Sequence, residues 1–100
     1  MKIKTSELQG AALDWAVETV ECEGAMYSGR SPRAFSTNWA QGGPIIEREE
    51  LSGLKCYGKD DWECSNGDIF CEGPTPLIAA MRCYVASKLG DEIEVPEELK

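Results

Sequence analysis

The sequence predicts an α+β fold, with two main helices packed on a small antiparallel sheet and a long irregular loop between them. Three observations lead there. Residues 73–90 spell out a helix with both ends marked, residues 62–71 read as a tight hairpin, and the short alternating stretches at 2–4 and 91–96 carry opposite charge. One hundred residues with 42% hydrophobic content suit one domain over 1–100. A chain of this size buries roughly 60 to 65% of its unfolded surface.

Lys2-Ile3-Lys4 reads as a short strand, and Ser6-Glu7-Leu8-Gln9 has the spacing of a capping box, which predicts a helix over 7–22. Leu8, Ala12, Leu13, Trp15, Ala16 and Val20 form its apolar arc. Glu7, Asp14, Glu18 and Glu21 line the opposite side, and Glu23-Gly24 offers the stop. From Gly24 to Gly43 no period of 2 or 3.6 persists, which predicts a long loop. Tyr27, Phe35 and Trp39 give that loop an apolar anchor. Gly42-Gly43 reads as a tight turn, and the weak alternation that follows, over 44–51, reads marginally as a strand, with helix left open.

Asn66-Gly67, flanked by alternating residues, predicts a two-residue hairpin turn that pairs Cys64 with Ile69 and Trp62 with Cys71. Trp62, Cys64, Ile69 and Cys71 then face inward, and Glu63, Ser65, Phe70 and Asp68 face outward. In the following helix, Thr75 caps the free amides, Pro76 takes the first turn and Gly90 the stop. Leu77, Ile78, Met81, Val85 and Leu89 make its large face. Ala79, Ala80, Cys83, Ala86 and Ser87 make a small one, across which another backbone can approach closely. Trp15, Met81, Val85 and Leu89 are expected in the core. Ile93 and Val95 alternate with Glu92 and Glu94 as an edge strand, and pairing it with 2–4 sets Lys2 and Lys4 against Glu92 and Glu94.

Function is less legible. A net charge of −8 and a pI near 4.5 oppose attraction to nucleic-acid phosphates or anionic lipid, so neither is an expected partner. No secretory h-region follows Met1, and the apolar runs are too short to span a bilayer, which points to the cytosol. Five cysteines, an odd number without such a signal, are expected as reduced thiols. Their spacings and the lack of histidine match no zinc site, so neither a metal nor any other cofactor is expected. The missing histidine also removes the commonest general base, and no nucleophile motif is present; an enzyme is not expected.

Three stretches, residues 1–16 (Met1 to Ala16), 36–49 (Ser36 to Glu49) and 73–99 (Gly73 to Leu99), resemble the NinX family of small proteins from lambdoid bacteriophages. The hairpin region from Cys56 to Cys71 lies outside them. The resemblance implies a phage accessory protein in the host bacterial cytoplasm, and it brings no catalytic residues with it.

Within that setting the sequence suggests a protein that sequesters a small phosphate-bearing or nucleotide-like host molecule, as in counter-defence. The amides that open the Thr75 helix suit an anion, Arg30, Arg33 and Arg48 supply positive charge, Tyr27 and Trp39 offer stacking surfaces, and Gly42 and Gly43 allow close approach. Each has a plainer reading: a capped helix start, arginines paired with surface carboxylates, and glycines against a neighbouring chain. The alternative is an acidic interaction module that binds and inhibits a host protein, with self-association also open.

Overall fold

The molecule is organised around α3 (Pro76–Leu89). Thr75 Oγ1 accepts the Ile78 N–H at 3.1 Å, Pro76 occupies the first turn, and Gly90 closes the helix at φ 90°, a conformation that favours glycine. The computed structural model describes residues 2–21, 34–49, 51, 53–66 and 69–95. In chain order these give β1 (Lys2–Lys4), a 3-10 turn (Thr5–Glu7), α1 (Gly10–Glu21), α2 (Trp39–Arg48), β2 (Lys55–Gly58), β3 (Asp61–Asn66), β4 (Ile69–Gly73), α3 and β5 (Glu92–Glu94). The fold is α+β, with antiparallel sheets ordered β1-β5 and β2-β3-β4.

The small face of α3 lies on the three-stranded sheet. An added Cβ at Gly73 would come 2.8 Å from the Ala79 amide nitrogen, and the Cys83 thiol faces the Ile69 carbonyl at 3.9 Å. Ala79, Cys83 and Ala86 fall on one side of the helix. Leu77, Tyr84 and Lys88 fall on the other, where they meet α2 and its C-terminal end. Helix α3 is therefore covered on more than one side, as its two-faced sequence requires, and its residues from Ala79 to Ala86 are buried apart from Arg82. Met81 and Val85 are fully buried. Leu89, expected in the core, is 40% exposed because it lies in the last turn, beyond the covering elements.

The pairing of β1 with β5 is the predicted one: Lys2 opposes Glu94, Ile3 opposes Ile93 and Lys4 opposes Glu92. Ile93 is the buried residue of the middle pair.

Four expectations are corrected. The first helix starts at Gly10, not at 7, and the Ser6/Gln9 capping box is replaced by the 3-10 turn. Thr5 anchors that turn through its amide and hydroxyl, both bonded to the Asp91 carbonyl, and Leu8 then turns into the core. Gly10 enters the helix at φ 57°, which its lack of a side chain permits. The buried arc also differs from the expected one: Val17 and Glu18 are buried, whereas Trp15, expected in the core, is half-buried.

The second correction concerns residues 39–48. The expected Gly42-Gly43 turn and strand are one helix, α2, so the loop expected over 24–43 is helical from Trp39 on; residues 22–33 lie outside the described residues. Asn38 initiates this helix, its side chain accepting the Ala40 N–H at 2.9 Å. Gly42 and Ile45, three apart, form its buried stripe, and Pro44 is carried inside the helix. The third correction is one of register. Cys64 opposes Cys71 in place of Ile69, and Asn66 is a paired strand residue opposite Ile69, so each partner has moved two residues along from the register of an Asn66-Gly67 turn. The shift puts side-chain-free Gly73 opposite Trp62, where α3 leaves no room for a Cβ. It preserves which face each residue occupies: Cys64 and Cys71 are buried, and Phe70 is 63% exposed.

The fourth concerns the segment before the hairpin. Strand β2 was not expected, and it joins β3 through Lys59-Asp60, with Asp60 at φ 58°. Aspartate tolerates that left-handed position better than most residues.

Candidate functional site

Tyr27, Arg30 and Arg33 lie outside the described residues. Of the other residues expected at an anion site, Gly42 sits beside Leu77 near the start of α3, with Trp39 exposed one turn earlier. Gly42 is buried there, and a Cβ on it would overlap the Phe35 carbonyl oxygen and reach within 2.6 Å of Leu77 Cδ1. Gly43 faces the Trp39 ring edge with ordinary clearance. Thr75 is engaged with the Ile78 amide.

Arg48 belongs to the opposite end of α3, because α2 and α3 run side by side from Gly42 and Leu77 to Arg48 and Tyr84. Tyr84 lies seven helical steps after Leu77, roughly 10 Å of rise. Its guanidinium makes a two-pronged contact with Glu21, at 3.1 and 2.7 Å, and bonds to the Tyr84 hydroxyl at 3.0 Å and to Glu49 at 3.0 Å. Glu49 also pairs with Lys88 at 3.1 Å, and the Tyr84 hydroxyl donates to Glu21 at 2.5 Å. These hydrogen bonds to Glu21 and Glu49 hold Arg48 firmly charged, and the Arg48 contact holds the Glu49 carboxyl below its usual range. Burial, followed by the Glu21 hydrogen bond, pushes the Tyr84 phenol up. This cluster ties the ends of all three helices together. Arg48→Ala is expected to cost only about 1 kcal/mol, since half of its side chain is exposed, and a urea midpoint lowered by that amount with an unchanged slope checks it.

The concave surface lies elsewhere. Two adjoining clefts, of about 680 and 490 Å³, share Ser6, Phe70 and Cys71 along β4; the smaller also takes in Asp61 and Glu63 of β3. The larger is bounded by Lys4 and Thr5 at the end of β1, by Asp91 and Glu92, and by Ala86 of α3. The smaller is bounded by Asp60, Asp61, Glu63 and Glu72, with Arg82 at its side. Arg82 acts as a brace, its Nε donating to the Leu8 carbonyl at 2.6 Å and its Nη1 to the Glu72 carbonyl at 2.7 Å. It therefore joins the segment after the 3-10 turn to β4, and burial lowers its pKa.

Six carboxylates (Asp60, Asp61, Glu63, Glu72, Asp91 and Glu92) thus line the two clefts, against Lys4 and the braced Arg82. Such a surface favours cations and repels a phosphate. Phe70 projects at the junction of the clefts, and Tyr57, also exposed, donates its hydroxyl to Glu63 at 3.2 Å on the outer face of the same sheet. Among the described residues the groove's one thiol is Cys71, and burial pushes its pKa up, so it is a poor nucleophile at neutral pH. The hydrogen bond with Cys64, together with burial, pushes the Cys83 thiol up as well. The described cysteines 56, 64, 71 and 83 are free, and among the described residues no cluster of three metal-binding side chains is placed to hold an ion.

Sequence reasoning did not single out this groove. The outward direction of Phe70 and Glu63 was readable from the hairpin's alternation. That Asp60, Asp61 and Asp91 converge beside them depends on β2 and on the Thr5–Asp91 anchor, both of which required the fold.

A family model described as Bacteriophage P22, NinX matches residues 4–88 of the chain. The match runs through the Cys56 to Cys71 hairpin that the three resembling stretches had left out. No curated protein matches the chain.

Proposed function

We propose, for a chain that belongs to the bacteriophage P22 NinX family, a non-enzymatic role in which this phage accessory protein binds a basic region of another protein. The observation that supports the reading is the acidic groove beside β4, with six carboxylates around an exposed phenylalanine. Carboxylates around an apolar contact give a basic partner both orientation and a desolvated anchor. A small phosphate-bearing ligand finds less support among the described residues: Arg48 is held by Glu21 and Glu49, Thr75 caps its own helix, and Arg82 is bonded to two carbonyls. Among the described residues no helix is long and apolar enough to cross a membrane.

The test is to recover the tagged protein from phage-infected cells and to analyse the bound material for both proteins and small molecules. The expected result is a stoichiometric protein partner that is lost when Asp60 and Asp61 are both changed to lysine. A phosphate-bearing molecule recovered one-to-one, with no protein partner, would overturn the reading in favour of sequestration.

A further inference from the structure

Among the described residues β4 is the last strand of its sheet, and its outer edge opens into the larger cleft instead of meeting another strand. Unpaired sheet edges are sites where an extended segment of another chain can add as a further strand. We infer that the β4 edge takes an extended, lysine- or arginine-containing segment of a partner protein as an added β-strand. The inference rests on the proposed function above and specifies its binding mode.

The direction of the backbone groups supports it. Arg82 donates to both the Glu72 and Leu8 carbonyls, so the Glu72 carbonyl is engaged outside the β3–β4 ladder and its backbone polar groups turn to the open edge. Pairing in an antiparallel sheet alternates every two residues, so Phe70 turns its own N–H and carbonyl the same way. The phenyl ring of Phe70 stands exposed on the outer face beside those groups. A guest strand would therefore meet main-chain partners at Phe70, an apolar contact beside them, and carboxylates at both ends of the groove. Charge chooses the guest: an acidic or neutral strand meets the same backbone but gains nothing from Asp60, Asp61 and Glu92.

The experiment titrates the full-length protein with short alternating Lys-Val peptides at low salt, read by fluorescence anisotropy. A Glu-Val peptide of equal length serves as the charge control. Two further Lys-Val peptides carry N-methyl groups on odd or on even residues, each removing the amide donors of one peptide edge. The expected result is that one methylated peptide loses about three- to tenfold in affinity, from the one guest N–H that the Phe70 carbonyl accepts, while the other binds as the parent does. Phe70→Ala should weaken the parent peptide several-fold, and amide exchange should slow at Phe70 and Glu72 on binding. If both methylated peptides bind like the parent while Lys-Val still exceeds Glu-Val, strand addition is overturned and the acidic interaction surface stands. Loss with both methylated peptides alike also overturns it, because an edge contact uses one set of donors. If Lys-Val binds no better than Glu-Val, the proposed function fails and the inference fails with it.

Discussion

Met81→Ala is expected to lower the unfolding free energy by about 2 to 5 kcal/mol, the usual range for truncating a large buried side chain. Met81 is wholly inaccessible and lies in the middle of α3, the helix that touches both sheets and both other helices. Two effects add at such a position: the lost transfer energy of the removed methylenes and thioether, and the void that remains where neighbours cannot close in. Met81 shares the large face of α3 with Leu77 and Val85, both buried, and lies across the helix from the small face that the sheet backbone approaches at Gly73. Urea unfolding checks it, with a lower midpoint at constant slope; a midpoint unchanged from the parent would show that the Met81 site has repacked. Since Met81 lines neither cleft, basic-peptide affinity measured well below the midpoint should match the parent.

What the sequence revealed was wherever local chemistry and tertiary demand agreed. Thr75, Pro76 and Gly90 each specify a helix boundary within a turn of themselves, and nothing in the fold competes with them. Lys2, Lys4, Glu92 and Glu94 specify a pairing that Ile3 and Ile93 also require. The failures share a cause. Gly42 and Gly43 are weak helix formers, and Pro44 breaks most helices, so propensity favours a turn; the Asn38 cap and the burial of Gly42 and Ile45 against the rest of the core outweigh it. In the hairpin, Asn66-Gly67 locally favours one register, and the close approach of α3 to Gly73 selects another. The acidic groove was illegible for a similar reason. The pair Asp60-Asp61 is thirty residues from Asp91 in sequence, all three are ordinary as surface residues, and only the Thr5 anchor and the β2-β3 hairpin bring them to adjoining clefts beside β4.

The second large effect separates a structural glycine from a ligand-binding one. Gly42→Ala is expected to destabilise by about 1 to 3 kcal/mol, even though alanine is intrinsically the better helix former by roughly 1 kcal/mol. The gain in propensity is outweighed because the new methyl would overlap the Phe35 carbonyl oxygen and press on Leu77 Cδ1 at 2.6 Å. Leu77 can turn aside by a rotamer change. The carbonyl cannot move without shifting residues 34–38, which the Ser36 amide holds by its 2.8 Å bond to Asp14 and which set the Asn38 cap of α2. Relief would thus require sliding α2 away from α3, stretching the Arg48–Glu21 and Arg48–Tyr84 contacts at its far end. Thermal or urea unfolding measures the loss. If Gly42 instead served to let a small anion approach the helix start, the methyl would abolish retention of that anion and leave stability at or above the parent's. A destabilised variant that still binds the Lys-Val peptide in its folded state assigns Gly42 to the α2–α3 contact and leaves recognition to the groove beside β4.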